Sequence, residues 1–302
     1  MPSLTKNQQF LIRYIVGNDM HRARQMVDDV LAEDTTQKDA AFVSEMKERL
    51  ARAQEMPLAY KGYLTGGYVS DEEMQRYFCS DREKAVAETI IRMSRAAEKL
   101  EELQIHYTNA TLLYGPSGCG KTMFAKYLAY TMGRPLYYVN FASTVDSLMG
   151  QTAKNITKVF QAAASVPCVL FLDEIDCVAL TRDAHGQKGP DGELERTTIS
   201  LMQCLDTLPN RVVLLAATNR PDIIDPALMR RFSQRHKVQM PTDEEAVKMV
   251  ELFFSSIGQE NPYSDEEIRN LYHEALTPAM LMVGIVQRLA EQIAQEEGNK
   301  PC

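Results

Sequence analysis

The stretch "TLLYGPSGCGKT", Thr111 to Thr122, decides the fold. Its first four residues read as a short apolar strand, and "MFAKYLAYTM" from Met123 onward reads as a helix. Between them lies the spacing G-x-x-x-x-G-K-[ST], met by Gly115, Gly120, Lys121 and Thr122. In such a loop the backbone of Gly115, Pro116, Ser117, Gly118, Cys119 and Gly120 wraps a phosphate chain with N–H groups pointing inward. The helix beginning at Lys121, Thr122 and Met123 adds the positive potential of its N-terminus. Lys121 is expected to reach the β- and γ-phosphates, and the Thr122 hydroxyl to bind Mg²⁺. ATP and Mg²⁺ are therefore the expected ligands. A chance match to the spacing is the competing reading, and the strand–loop–helix setting argues against it.

Two later stretches end strands beside this loop. In "CVLFLDEID", five apolar residues, Cys168 to Leu172, run into Asp173 and Glu174. The carboxyl end of a central buried strand lies next to the phosphate loop. Asp173 is expected to hold the magnesium through water, and Glu174 to polarise an attacking water as a general base. The plain alternative is a strand ending in a solvated acidic turn. In "VVLLAATNRPDIIDPALMRRF", another apolar strand ends at Thr218 and Asn219. Asn219 is placed either to orient the attacking water and contact the γ-phosphate, or to cap the turn before Pro221.

Outward from these motifs the pattern is strand–helix alternation. Strands are expected at 111–114, 136–140, 168–172, 212–217 and 236–239, with helices in the gaps, which predicts an α/β fold with a parallel sheet covered on both faces. After Pro241 the chain reads as helical over 244–256, 265–275 and 279–296, with Thr242 and Asp243 supplying the first cap. The expected division is a helical bundle over 1–56, a linker over 57–82, an α/β core over 83–240 and a helical lid over 241–302. In the bundle, Phe10, Leu11, Tyr14 and Ile15 follow helical spacing, with further helices near 21–32 and 39–53. The linker holds Pro57 and the pair Gly66-Gly67, then enters a helix at Ser70 with Asp71 and Glu72 in its first turn.

Bulk properties narrow the function. A net charge of −8 argues against a broad nucleic-acid or anionic-membrane surface. No run approaches the roughly 18 apolar residues of a membrane span. The six cysteines show no metal-ligand spacing, and four read as buried, which fits a reducing cytoplasm.

Residues 83–295 resemble a single ATPase module of the AAA family, within the AAA+ superfamily, through the phosphate loop, the "DEID" box and the "TNRPDIIDPALMRRF" region. The resemblance implies a P-loop NTPase sheet in the order 5-1-4-3-2 and a helical lid from about Pro241. It also implies a homo-oligomeric ring, usually of six, with ATP between neighbours. Arg230 and Arg231 fall where the family places its arginine fingers, supplied to the γ-phosphate next door; a surface cluster pairing with acids is the alternative. Translocating members grip substrate with an aromatic residue in the first pore loop. Here Leu148 stands in that place, followed by Met149 and Gly150, and these residues either contact a client or pack the core. The stretch Thr181 to Arg196 sits where a second pore loop would, with His185 and Lys188 facing the pore; an ordinary surface loop is the other reading. The lid lacks an arginine at the start of its last helix, and Ala279 and Met280 are expected against the adenine. The N-terminal bundle is similar to short helical leaders that recruit a client or adaptor; a role in assembly is the other reading.

The first expected function is ATP-driven remodelling of a client protein. The second is a regulatory switch docking onto a partner such as a protease, without threading. A nucleic-acid motor is disfavoured by the acidic charge, and a small-molecule kinase does not need the Asn219 to Arg231 arrangement.

Overall fold

The computed structural model describes residues 5–16, 26–27, 30, 64–139, 152–179 and 191–298. Its centre is a sheet. β1 (Leu64–Gly67), β2 (Asn109–Tyr114), β3 (Leu136–Val139), β4 (Val169–Leu172), β5 (Val213–Thr218) and β6 (Gln234–Lys237) lie in the order β1-β3-β4-β5-β2-β6. β2 to β6 are parallel, and β1 joins the edge antiparallel to β3. The five parallel strands thus take the expected order, and the sheet gains a sixth strand inside the segment read as a linker. Every residue of β4 and β5 is buried, as strands covered on both faces require. β6 alternates half-buried with exposed residues, which suits its polar sequence "QRHK" at an edge. It begins two residues earlier than expected: pairing of Gln234 with Thr111 sets its register, while the apolar signal that drew the expectation is Val238 just beyond its end.

The two sheet faces carry separate cores. One holds Leu112, Leu170, Leu172, Leu214 and Ala216, together with Val159 and Phe160 of α5 (Thr152–Ala164) and Leu201 and Leu205 of α6 (Asp191–Asp206). Alternate residues of the same strands, Leu113, Phe171 and Leu215 among them, pack on the other face. There they meet Ile90 of α3 (Asp81–Glu102) and Phe124 and Leu128 of α4 (Lys121–Thr131). The lid has its own core: Val250, Phe254, Ile268, Tyr272 and Leu281 from α8 (Asp243–Ser256), α9 (Asp265–Ala275) and α10 (Pro278–Gly298).

Helix starts follow their caps. Ser80, Thr242 and Ser264 each accept the N–H of a glutamate three residues on, and that glutamate bonds back to the cap, closing capping boxes on α3, α8 and α9. Ser70 caps the short α2 (Asp71–Gln75), the helix start read from its acidic first turn.

β1 depends on Gly66. Its φ is +129°, and a Cβ there would lie 2.1 Å from the Leu136 carbonyl oxygen. Only glycine lets the chain approach β3 this closely.

α1 (Lys6–Val16) forms as expected, and Phe10 on it is exposed. Beyond it, Met26, Val27 and Val30 are helical, and the rest of the bundle lies outside the described residues, as do Leu148, Met149, His185 and Lys188. The expected second loop is shortened, since α6 already begins at Asp191. Cys79, Cys119, Cys168 and Cys204 are buried free thiols, while Cys177 is exposed. Burial pushes the Cys168 thiol up to about 12. No described helix is long and apolar enough to cross a membrane.

Candidate functional site

The site gathers at the carboxyl ends of β2, β4 and β5. The loop from Gly115 to Gly120 leaves β2 and turns into α4. It is pinned on two sides. The Gly115 N–H donates to the Thr218 carbonyl at 3.3 Å, and a Cβ on Gly115 would lie 2.3 Å from the Val238 carbonyl oxygen. Gly118, at φ +75°, faces Thr277 and Ala279 at the start of the lid's last helix. Gly120 caps α4 without a side-chain acceptor, so the first N–H groups of this helix keep their donor capacity for an anion.

Lys121 is buried, and a buried ammonium must be paired. Its Nζ donates to the Gly115 carbonyl at 2.9 Å, to the Pro116 carbonyl at 2.8 Å and to Asn219 Oδ1 at 2.6 Å. Lysine and asparagine, 98 residues apart in sequence, are thus brought into one cluster. The turn bearing Asn219 is fixed from behind: Thr218 Oγ1 donates to Asp176 at 2.8 Å and accepts the Arg220 N–H at 2.9 Å.

Thr122 Oγ1 donates to Asp173 Oδ2 at 3.1 Å. The other Asp173 oxygen accepts the Glu174 N–H at 3.0 Å. Glu174 has φ +50°, a left-handed conformation that costs a glutamate on the order of 1 kcal/mol. Glu174 is exposed and lines the cavity described next, while Asp173 stays beside Thr122. Two convergent hard oxygens, with the remaining positions left to phosphate and water, fit the habit of Mg²⁺. Among the described residues no cluster of three or more ligating side chains offers a different metal cage.

A cavity of about 810 Å³ opens over these groups, within the usual range for a small-molecule site. Ser117 to Met123, Asp173, Glu174, Asn219 and Ala279 line it. Gly115 and Pro116 act instead through their carbonyls on Lys121. Met280, expected beside Ala279, is instead 61% exposed and does not line this cavity, where Met282 and Val286 form the wall. Sequence reasoning missed Arg76, Tyr77, Phe78 and His236, which also line the cavity. The first three sit in the short irregular segment between α2 and the Ser80 cap, where the sequence offers no periodicity to read.

Arg230 and Arg231 stand apart. Arg231 forms a two-pronged pair with Asp206, at 3.0 and 2.9 Å, and donates to the Ala227 carbonyl at 2.8 Å. Arg230 is exposed and makes no ion pair among the described residues. Neither lines the cavity.

A glycine loop that presents amides, a lysine and a threonine, beside an acid pair at a neighbouring strand end, is built for a polyphosphate. The fold and site define a P-loop nucleoside triphosphatase domain. Residues 111–240 match the model of the ATPase family associated with various cellular activities (AAA), so this part of the chain is an AAA-type ATPase domain. It is 37% identical over 145 residues to an uncharacterized AAA family ATPase, y4kL, of Sinorhizobium fredii, covering 48% of this chain and 43% of that protein. It is 36% identical over 169 residues to a proteasome-activating nucleotidase of Methanococcus maripaludis, covering 54% of this chain and 41% of that protein. The chain spans less than half the length of these relatives. Among solved structures, a chain of the E. coli MS115-1 HORMA:CdnC:Trip13 complex shares the fold. Its TM-score is 0.56 at 17% identity, over 72% of this chain and 82% of that one.

Proposed function

We propose that ATP bound in this cavity is hydrolysed between neighbouring copies of the chain in a ring, and that the cycle remodels a partner protein. The observation that carries the reading is the placement of Arg230 and Arg231, which follow α7 (Pro226–Met229) and do not line the cavity of their own phosphate loop. Arg231 is already paired with a carboxylate, the geometry that also suits a phosphate. On this reading Lys121 exchanges its carbonyl acceptors for β- and γ-phosphate oxygens. Thr122 and, through water, Asp173 would hold Mg²⁺, which when bound would supply positive charge beside the phosphates. Glu174 takes the proton of the attacking water, and Asn219 orients that water. Arg231 from the adjacent copy, with Arg230 beside it, meets the charge on the transferring phosphoryl group. A relative named for activating a proteasome supports a protein as the partner.

The test uses complementation. Arg231→Ala should lower ATP turnover by about 10³-fold while keeping ATP binding. Adding Lys121→Ala chains, which lack phosphate binding but carry intact arginines, should restore part of the activity. Full turnover by Arg231→Ala alone, or a per-chain rate that stays flat on dilution to single chains, overturns the reading.

A second reading, a switch that docks onto its partner without threading, is favoured by Leu148 standing where translocating members carry an aromatic residue. Leu148→Ala abolishes remodelling and spares ATPase if that loop grips a client; unchanged partner control supports the switch.

A further inference from the structure

The lid packs around its own core, separate from both cores of the sheet. Polar contacts across the hinge therefore weigh heavily in setting its position. One side chain makes several of them. Arg82, in the first turn of α3, reaches the two carboxylate oxygens of Glu245 on α8 at 2.9 and 3.2 Å. Its other terminal nitrogen donates to Gln239, on the segment that joins β6 to the lid. Glu245 is fixed in turn, because it accepts the Thr242 N–H at 2.9 Å in the capping box of α8. Arg82, Gln239 and Glu245 all line the cavity that also holds the phosphate loop.

We propose that Arg82 is a positioning residue that clasps lid to core, and that this clasp sets how long a nucleotide stays in the cavity. The proposal rests on the reading of that cavity as the ATP site. Its walls come from the core and from the lid, through Pro278, Ala279 and Met282. Release therefore requires the two to part, and parting breaks the Arg82–Glu245 fork. The pair is 46% and 20% exposed at its two side chains, so salt weakens it. Glutamine at position 245 keeps the capping box, because glutamine also serves at that helical position. Glu245→Gln therefore removes the charge pairing while leaving the helix start intact.

The experiment follows dissociation of a fluorescent ADP analogue from the full chain. Arg82→Gln and Glu245→Gln are each expected to speed release by about two- to fivefold at low salt. The double variant should release no faster than the single ones, and Arg82→Lys should fall between. Salt at about 0.5 M should bring the unaltered protein toward the variants. Unchanged release in both single variants, or effects that multiply in the double, overturns the clasp. If the unaltered protein binds no analogue, the ATP-site reading itself fails. The clasp is then read by amide hydrogen exchange over residues 239–246 in nucleotide-free protein. Exchange quickens in both variants if the clasp holds the hinge, and is unchanged if it does not.

Discussion

Lys121 distributes its charge over three oxygens of its own chain, two of them main-chain carbonyls of the loop it serves. That arrangement follows from burial: an ammonium this enclosed is tolerated only with acceptors on hand. His236 shows the same pressure in a titrating group. It lines the cavity, and its pKa is lowered below the ordinary 6.5 chiefly by burial, with Glu83 opposing and Arg82 assisting the shift. The unfolded chain then binds a proton more readily than the folded one. Stability is complete above about pH 6.5 and falls as pH drops through that value, levelling once the folded histidine also protonates. Melting temperatures at pH 7.5 and 5.5 should therefore differ more for the unaltered protein than for His236→Gln. Equal pH sensitivity of the two would remove His236 as the cause. At this scale the sequence was most legible. The phosphate loop, Asp173, Glu174 and Asn219 sit in contiguous motifs whose spacing carries their chemistry. The Arg231–Asp206 and Arg82–Glu245 pairs were not legible, since they join residues 25 and 163 positions apart with no local sign of each other.

Among the elements, those with strong local signals came through. α3, α8 and α9 announce themselves by Ser or Thr caps with glutamate three residues on, and β4 and β5 by unbroken apolar runs. β1 did not. "LTGG" offers one buried leucine and two glycines, so it is a strand only because the edge of β3 is there to pair with it. The two glycines also differ in kind. A Cβ at Gly66 strikes the Leu136 carbonyl, whereas one at Gly67 meets nothing within 4 Å. Gly66→Ala should cost on the order of 1–3 kcal/mol in thermal or denaturant unfolding, with Gly67→Ala near neutral. Equal effects at the two positions would show that the close approach is not what matters.

Among the described residues, two apolar cores on the faces of one sheet and a third in the lid surround the cavity. The segment from β1 to the start of α3 touches each part in turn. β1 lies on the sheet, Glu73 pairs with Lys126 of the phosphate-loop helix, Arg76 to Phe78 form a cavity wall, and Arg82 holds the lid. β1 has one more consequence. Without it, β3 would present a row of unpaired amides and carbonyls beside the apolar Tyr137 and Val139, a ready template for stray chains. A four-residue cover with two glycines ends that row in a strand too short and too bare to recruit another. Chains lacking residues 1–67 should accordingly aggregate with rising concentration in light scattering, with or without nucleotide, while chains lacking only residues 1–62 stay dispersed.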